Sequence, residues 1–323
     1  MNRLTVRTPS RLHFGLLSWG KDAPREFGGV GLMVDEPGSI IAAEPAAAWA
    51  ADGPLRGRIL DVAAHVVASL ARQGTSAPPL RFAVLQAPPE HVGLGVGTQT
   101  GLAVARLIRE FARADTVPAG ELALLAGRGL RSGIGLHGFD LGGLIVDGGR
   151  AVRAGARPAP LIARHEFPPD WAVLVLIPPA RTGLHGDSEV RAFGQIPPLP
   201  SAVVARLCRL VLLELLPAVA EVDLAAFGAA LTEIQGLVGQ GFASAQGGIY
   251  ARPELLTLVE NLRSVGLVGV GQSSWGPTLY GFTERSNPDR SAIVQRILGS
   301  TGWPPGSVFW TAASRQGASI RAD

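Results

Sequence analysis

Two kinds of reactive side chain are nearly missing from this chain of 323 residues, which has one cysteine, Cys208, and one lysine, Lys21. A lone cysteine excludes an intrachain disulfide and a cluster of cysteine thiolates around a metal. The lysine lies in a polar, loop-like segment, so no glycine-rich loop ends in the Gly-Lys-Ser/Thr of a P-loop. This excludes a Walker-type ATPase and disfavours a pyridoxal phosphate enzyme, which needs a lysine for its Schiff base.

Charged and aromatic side chains are also scarce, at 17% and 6% of the residues, and the formal net charge is only +3. The arginines are scattered and not interleaved with aromatic residues, which argues against a nucleic acid as partner. Charged side chains interrupt the most apolar predicted helix, residues 202–220, and the first residues lack a signal-peptide core. With 47% hydrophobic residues, the composition predicts a globular enzyme of the cytoplasm that does not contact membranes.

A glycine-rich loop between a predicted strand, Leu80–Leu85, and a predicted helix, Thr100–Ala114, is the clearest candidate for a binding site. Glycine occupies every second position in it, at Gly93, Gly95 and Gly97. Glycines permit a sharp turn and close approach of a ligand, and we expect Thr98 to be the N-cap of a helix whose free N–H groups suit an anion. The loop therefore predicts a phosphate or pyrophosphate site; a tight turn without a ligand is the alternative. Its spacing differs from the Gly-x-Gly-x-x-Gly of dinucleotide-binding domains and disfavours a Rossmann dehydrogenase.

Hydrophobic periodicity predicts strands and helices along the whole chain. The other predicted strands are Leu4–Val6, Arg11–Leu17, Gly28–Val34, Gly143–Val146, Trp171–Ile177, Leu267–Val270 and Pro277–Gly281. The other predicted helices are Pro54–Gln73, Ala119–Arg131, Ser201–Ala220, Leu224–Val238 and Pro253–Val265. A proline-containing link at Arg157–Pro160 predicts two domains, residues 1–157 and 158–323. This order favours an α+β fold in both halves.

Arg11 and His13 alternate on an early strand, so both side chains face the same side of its sheet. Arg11 suits a bidentate contact with phosphate or carboxylate, and His13 suits acid–base chemistry or a ligand contact. The alternatives are a surface arginine and a hydrogen-bonded core histidine.

Four further candidates lie in predicted loops. His91 stands at the mouth of the glycine-rich loop, and His137 and Asp140 lie in a second glycine-rich turn. Glu189 belongs to a polar group that follows the strand at Trp171–Ile177. Its carboxylate would hold a metal or act as a base, or would only be a charge at a helix N-terminus. No His/Cys cluster has zinc spacing, so any metal should be Mg²⁺.

A late turn, Gly271–Gly276, offers the neutral donors Gln272, Ser273 and Ser274 to a phosphate or carboxylate. Trp275 beside them either stacks on an aromatic ligand or packs in the core.

Three motifs occur in the order found in GHMP kinases: Pro9–Leu12, Gly93–Gln99 and Gly269–Gly276. The second motif has Thr98–Gln99 where those kinases place serines. With this departure the chain resembles one branch of that superfamily, the β-ribofuranosylaminobenzene 5′-phosphate synthases of tetrahydromethanopterin biosynthesis. The segment Gly271–Pro277 is the most specific part of the resemblance, which spans residues 9–277.

The resemblance implies a two-domain α+β fold, ribosomal-S5-like and then ferredoxin-like, and a homodimer. It implies a reaction of phosphoribosyl pyrophosphate with 4-hydroxybenzoate or 4-aminobenzoate that requires Mg²⁺ and releases CO₂ and pyrophosphate. Asp140, Glu189 and His13 are then the expected catalytic residues, and Asp140 and Glu189 the expected metal ligands. The expected substrate-binding residues are Arg11, His91, Gly93, Gly95, Gly97, Thr98, Gln99, Gln272, Ser273 and Ser274. An ATP-dependent small-molecule kinase and a non-catalytic binding protein are the alternative functions.

Overall fold

The computed structural model describes residues 2–20, 23–127, 132–152, 157–179, 183, 191–192 and 194–323. In these ranges the chain forms two main sheets, which are antiparallel except where β4 (Ala50–Asp52) pairs with β5 (Leu80–Gln86) in parallel, and each is covered by helices. The predicted α+β class is therefore confirmed.

The first sheet has seven strands, in the order β13-β1-β3-β5-β4, with β6 paired to β3 and β8 paired to β6. The strands are β1 (Leu4–Leu16), β3 (Gly29–Pro45), β4 (Ala50–Asp52), β5 (Leu80–Gln86), β6 (Leu144–Asp147), β8 (Leu161–His165) and β13 (Ser319–Ala322). The two predicted early strands form the single strand β1, because its register against β3 continues through irregularities at Thr8/Ser10 and His13/Gly15. Strands β2 (Arg25–Glu26) and β7 (Arg150–Ala151) form a separate ribbon.

Among the described residues, four helices accompany this sheet: α1 (Arg56–Arg72), α2 (Val96–Phe111), α3 (Ala119–Leu125) and α4 (Ile134–Leu141). In α1, residues Ile59, Val62, Val66 and Leu70 recur at helical spacing and form its buried face. They pack with strand residues such as Phe82 in one hydrophobic cluster. This packing fixes the position of α2, whose first turn follows the glycine-rich loop.

The second sheet has the order β10-β11-β9-β12, formed by β9 (Trp171–Leu176), β10 (Val268–Gln272), β11 (Leu279–Glu284) and β12 (Val308–Thr311). Its helices are α5 (Ser201–Leu210), continued by a π-helical turn (Val211–Leu215) and α6 (Leu216–Ala220), then α7 (Leu224–Gln246), α8 (Pro253–Ser264) and α9 (Arg290–Thr301). Phe14 of β1 lies 6.4, 5.1 and 6.0 Å, centroid to centroid, from Phe227, Tyr280 and Phe282. Burying each such ring stabilises the fold by about 1.5–3 kcal/mol, and these contacts join the two sheets into one core.

Several helices depart from the sequence prediction; the one predicted over Ala119–Arg131, for example, ends at Leu125. The helix predicted to end at Val238 continues to Gln246, because its internal glycines allow close packing. A Cβ atom on Gly239 would lie 2.5 Å from Ile249, and one on Gly241 would lie 2.6 Å from Trp19. The second glycine-rich turn is not a turn, since residues 134–141 form helix α4.

Strands β8 and β13 come from beyond residue 157 and complete the first sheet. The division into residues 1–157 and 158–323 stays a prediction. No helix in the described ranges is long and apolar enough to cross a membrane.

Candidate active site

The glycine-rich loop leads directly into α2. Gly95 is the N-cap, with a φ of 74°, and α2 begins at Val96. The prediction of Thr98 as N-cap was wrong, because Gly95 reaches the left-handed region and the helix starts earlier; the Thr98 N–H donates to the Gly95 carbonyl at 3.0 Å. The amides of Val96 and Gly97 have no acceptor among the described residues. They lie at the positive end of the helix dipole, which favours an anion.

The predicted turn at residues 271–276 packs against this loop. The Ser273 hydroxyl donates to the Gly93 carbonyl at 2.7 Å and accepts from the His13 N–H at 2.9 Å. A Cβ atom on Gly93, whose φ is 92°, would lie 2.3 Å from the Ser273 carbonyl oxygen. Thus β1, the glycine-rich loop and the late turn meet at Ser273.

Two arginines border the loop. The Arg11 N–H donates to the Leu94 carbonyl at 3.0 Å, and the Arg11 side chain lies against Gly95, whose Cβ position would be 3.4 Å from Nε. Arg58 of α1 lies against Gly97, whose Cβ position would be 3.1 Å from Nη1, and forms an ion pair with Glu90. Sequence reasoning missed Arg58, since it is one of several arginines on an ordinary amphipathic helix. Both guanidinium groups lie beside the first turn of α2, and Glu90 partly offsets the charge of Arg58.

A second group of polar side chains lies next to Ser273 along β1. His13 is buried, and its Nε2 lies 3.1 Å from the Ser132 Oγ. Ser132 donates to the Asp147 Oδ2 at 2.8 Å, and the backbone N–H groups of Gly133 and Gly149 donate to the same carboxylate at 2.9 and 2.8 Å. We call these three side chains, His13, Ser132 and Asp147, the His–Ser–Asp chain.

Burial sets the charge states in the His–Ser–Asp chain. Desolvation, assisted by the nearby Arg11, lowers the pKa of His13 well below its usual value. Desolvation also raises the pKa of Asp147 to about 6, although its three hydrogen bonds oppose this shift. At neutral pH the imidazole is therefore neutral, while Asp147 is mostly ionised. Asp147 was not among the predicted site residues, although it is an aspartate followed by two glycines after an apolar strand.

Several predicted substrate-binding side chains use their polar atoms within the protein. Gln272 accepts from the Ala251 N–H at 2.8 Å and donates to the Ser274 carbonyl at 3.0 Å. Gln99 is buried and donates to the Gly135 carbonyl at 2.8 Å, while its Oε1 has no partner in the described part of the chain. Trp275 is buried 4.7 Å from the Phe242 ring, in a cluster that includes Trp19. Gln272 and Trp275 thus shape the turn, and direct substrate contact by Gln272, Ser273, Ser274 and Gln99 stays a prediction.

The remaining candidates are more dispersed. Asp140 is exposed at the end of α4, where it accepts from the Ala119 N–H at 2.8 Å and so satisfies the N-terminus of α3. Burial of its carboxyl group raises the pKa of Asp140. The His137 Nε2 lies 2.8 Å from the Ala159 carbonyl, and the His91 carbonyl accepts from the Gly183 N–H at 2.6 Å. Glu189 lies outside the described residues. Catalytic and metal-binding roles for Asp140 and Glu189 stay predictions.

A cleft of about 550 Å³ lies elsewhere on the molecule. Its lining includes Arg7, Asp35, Arg285 and Arg315, and it contains none of the predicted site residues. The candidate active site is therefore the region where the glycine-rich loop, Ser273 and the His–Ser–Asp chain adjoin.

This sequence is similar to one known protein family and to full-length proteins of known name. Residues 215–302 match the family described as GHMP kinases C terminal. The β-ribofuranosylphenol 5′-phosphate synthase of Methanothermobacter thermautotrophicus is 33% identical, over 98% of both chains. The protein of the same name from Archaeoglobus fulgidus is 37% identical, over 97% of this chain and 98% of its own.

Solved structures show the same fold at low sequence identity. A putative homoserine kinase from Listeria monocytogenes superimposes with a TM-score of 0.64 and 16% identity, over 99% of this chain and 100% of its own. Mevalonate diphosphate decarboxylase from Staphylococcus aureus gives 0.68 and 13%, over 99% and 98%. The predicted GHMP-kinase-like fold is confirmed.

Proposed function

Because the chain belongs to the β-ribofuranosylphenol 5′-phosphate synthase family, we propose that it joins phosphoribosyl pyrophosphate to 4-hydroxybenzoate and releases CO₂ and pyrophosphate. The name of the relatives specifies a phenol, which favours 4-hydroxybenzoate over 4-aminobenzoate as the acceptor. The product would carry a carbon–carbon bond between the aromatic ring and C1 of ribose 5-phosphate.

The glycine-rich loop suits the first half of this chemistry. When pyrophosphate leaves C1 of the ribose, positive charge develops on the sugar and negative charge on the departing oxygens. Donors that are already aimed at those oxygens lower the barrier most. The free amides of Val96 and Gly97, with the guanidinium groups of Arg11 and Arg58 beside them, supply such donors in this proposal.

The second half requires an electron-rich ring. The ring carbon that carries the carboxylate attacks C1, and the oxygen in the para position supplies electron density to that carbon. The carbon–carbon bond to the carboxylate then breaks, its electron pair restores aromaticity, and CO₂ departs. A phenol, with a pKa of about 10, donates more strongly once a base has taken its proton. The neutral, buried His13 is the candidate for that base.

Mg²⁺ is part of the proposal through the family resemblance. The described portions of the chain hold no group of three or more His, Cys, Asp or Glu side chains placed around a metal. One oxygen of Asp140, an expected ligand, already accepts the Ala119 N–H. We therefore propose that Mg²⁺ arrives on the diphosphate of the substrate, which supplies most of its ligands, and that it neutralises diphosphate charge there.

A homodimer and a cytoplasmic location are proposed on the same resemblance. Light scattering over a range of protein concentrations tests the first of these.

The full-length likeness to the two synthases carries this proposal, and a carboxyl-label assay tests it. The protein is incubated with Mg²⁺, phosphoribosyl pyrophosphate and 4-hydroxybenzoate labelled in its carboxyl group. We expect labelled CO₂ and pyrophosphate in equal amounts, and neither when phosphoribosyl pyrophosphate is omitted. ATP-dependent phosphorylation of a small alcohol without CO₂ release would favour a GHMP-type kinase instead. Binding of the sugar diphosphate without turnover would favour a non-catalytic binding protein.

A further inference from the structure

The backbone of the first sheet brings the His–Ser–Asp chain together across strand β3. His13 of β1 is opposite Gly31, and Asp147 of β6 is opposite Gly29, so β3 lies between the two side chains. A Cβ atom on Gly29 would lie 3.1 Å from both the Nε2 and the Cε1 of His13. The absence of a side chain at position 29 therefore leaves room for the imidazole to lie across β3 and reach Ser132.

The direction of the hydrogen bonds defines where the imidazole proton is. Ser132 has one hydroxyl proton, which it donates to the Asp147 Oδ2. The Gly133 N–H occupies the same oxygen and the Gly149 N–H the other, so all three neighbours of Asp147 are donors. The Ser132 Oγ can then only accept from His13, and this places the imidazole proton on Nε2. The Nδ1 atom makes no hydrogen bond with any described residue.

We propose that Ser132 and Asp147 are positioning residues that hold the His13 proton on Nε2 and leave Nδ1 to take the proton of the substrate phenol. The hydrogen bonds support the tautomer, while the identity of the proton donor rests on the proposed function. Ser132 and Asp147 do not contact the substrate in this scheme and act only through His13.

The proton step is balanced within the reaction. The phenol O–H bond breaks, its electron pair stays on the oxygen, and the proton binds to the Nδ1 lone pair. The phenolate then drives attack of the ring carbon on C1, and loss of CO₂ returns the ring to a phenolate. The imidazolium gives its proton back to that oxygen, so His13 ends neutral. While His13 is charged, its Nε2–H remains hydrogen-bonded to Ser132. The negative charge of Asp147, to which Ser132 donates, then lies close to the imidazolium.

A purely structural role is the competing explanation. Asp147 also fixes the backbone at Gly133 and Gly149, and its removal would loosen the start of α4 whether or not His13 is a base. The other titratable groups that interact electrostatically with the His–Ser–Asp chain are Arg11, which acts on His13, and His137, which acts on Asp147. The test must therefore use readouts that a loss of packing leaves unchanged.

The first readout is the tautomer in the protein without substrate. In ¹⁵N-histidine-labelled wild type, two-bond ¹⁵N–¹H spectra should show the proton of His13 on Nε2, and the H13N variant assigns those signals by their loss. S132A and D147N should lower the population of this tautomer. A wild-type proton on Nδ1, or variants that keep it on Nε2 as fully as the wild type, would overturn the proposal, whatever the enzymatic activity.

The second readout is how the loss of kcat/KM depends on the acidity of the phenol. With 4-hydroxybenzoate, we expect H13N and D147N to lower kcat/KM by about 100-fold or more, within the range for lost general-base catalysis. With the more acidic 3-fluoro-4-hydroxybenzoate, the loss should be at least about threefold smaller, because less of the proton transfer depends on the base. Equal losses with both phenols would show a structural role and refute the proposal.

Matched controls are available for D147N and S132A. D52N removes an exposed aspartate that pairs with Arg81, and S264A removes an exposed hydroxyl bonded to the Asn261 carbonyl. Both should retain the wild-type kcat/KM with both phenols. If D147N does not fold, S132A decides the question, since it keeps the carboxylate and its two backbone bonds. A wild type without synthase activity would refute the proposed function but leave the tautomer result standing.

Discussion

Replacing Gly93 with alanine tests the contact between the glycine-rich loop and the late turn. The φ of Gly93 is 92°, so alanine is strained there by about 1–2 kcal/mol in any surroundings. The new Cβ would also lie 2.3 Å from the Ser273 carbonyl oxygen, which accepts from the Gly276 N–H at 2.9 Å. Moving that carbonyl weakens this bond and the Ser273–Gly93 bond, at about 0.5–1.5 kcal/mol each. We expect G93A to lower the free energy of unfolding by about 3–4 kcal/mol.

Gly266 provides the matched control. Its φ is 85°, and nothing lies within 4 Å of its Cβ position, so G266A introduces the backbone strain alone. Urea unfolding of both variants should place G266A within about 1–2 kcal/mol of the wild type and G93A clearly below it. Since Ser273 also bonds the His13 backbone, G93A should lower kcat/KM in the CO₂-release assay while G266A does not. Equal stability of the two variants would refute the close contact between the loop and the turn.

Three further substitutions test other parts of the site. S273A leaves the buried His13 N–H and the Gly93 carbonyl without a partner, so it should lower the free energy of unfolding in urea by about 1–3 kcal/mol. The control S264A should change it by less than about 0.5 kcal/mol. An S273A variant as stable as the wild type would contradict the two hydrogen bonds of the Ser273 hydroxyl. R58A should raise the KM for phosphoribosyl pyrophosphate about 10-fold. R72A, which removes an exposed arginine at the other end of α1, should leave this KM unchanged. Equal KM values for the two variants would show that the diphosphate does not bind near Arg58. The folded-state pKa of Asp147 is raised from 3.8 to about 6, so burial of the ionised form destabilises the wild type above pH 6 and not below pH 4. The unfolding free energy of D147N relative to wild type should therefore increase by about 2 kcal/mol between pH 4 and pH 7, and a pH-independent difference would contradict this shift.

Sequence periodicity predicted most of the secondary structure because most helices and strands here have one regular apolar face. It failed where packing overrides local signals. Gly239 and Gly241 weaken a helix locally, yet α7 continues through them because Ile249 and Trp19 need the space. Asp140 was expected in a turn because glycines surround it, but those glycines allow α4 to pack closely: a Cβ atom on Gly138 would lie 2.2 Å from the Met33 sulfur.

The glycine-rich loop, Arg11, His13 and Ser273 were predictable because each belongs to a recognisable local pattern. Asp147 and Arg58 were not, since their roles depend on contacts between distant segments. Asp147 is 134 positions from His13 and meets it only through the pairing of β1, β3 and β6. Arg58 reaches the loop only because α1 packs beside α2.

A crystal structure with phosphoribosyl pyrophosphate and Mg²⁺ bound tests the central claim most directly. We expect the diphosphate to lie within hydrogen-bond distance of the Val96 and Gly97 amides, with the Arg58 guanidinium beside it. A diphosphate bound instead in the cleft near Arg285 and Arg315, with the start of α2 unoccupied, would contradict the account.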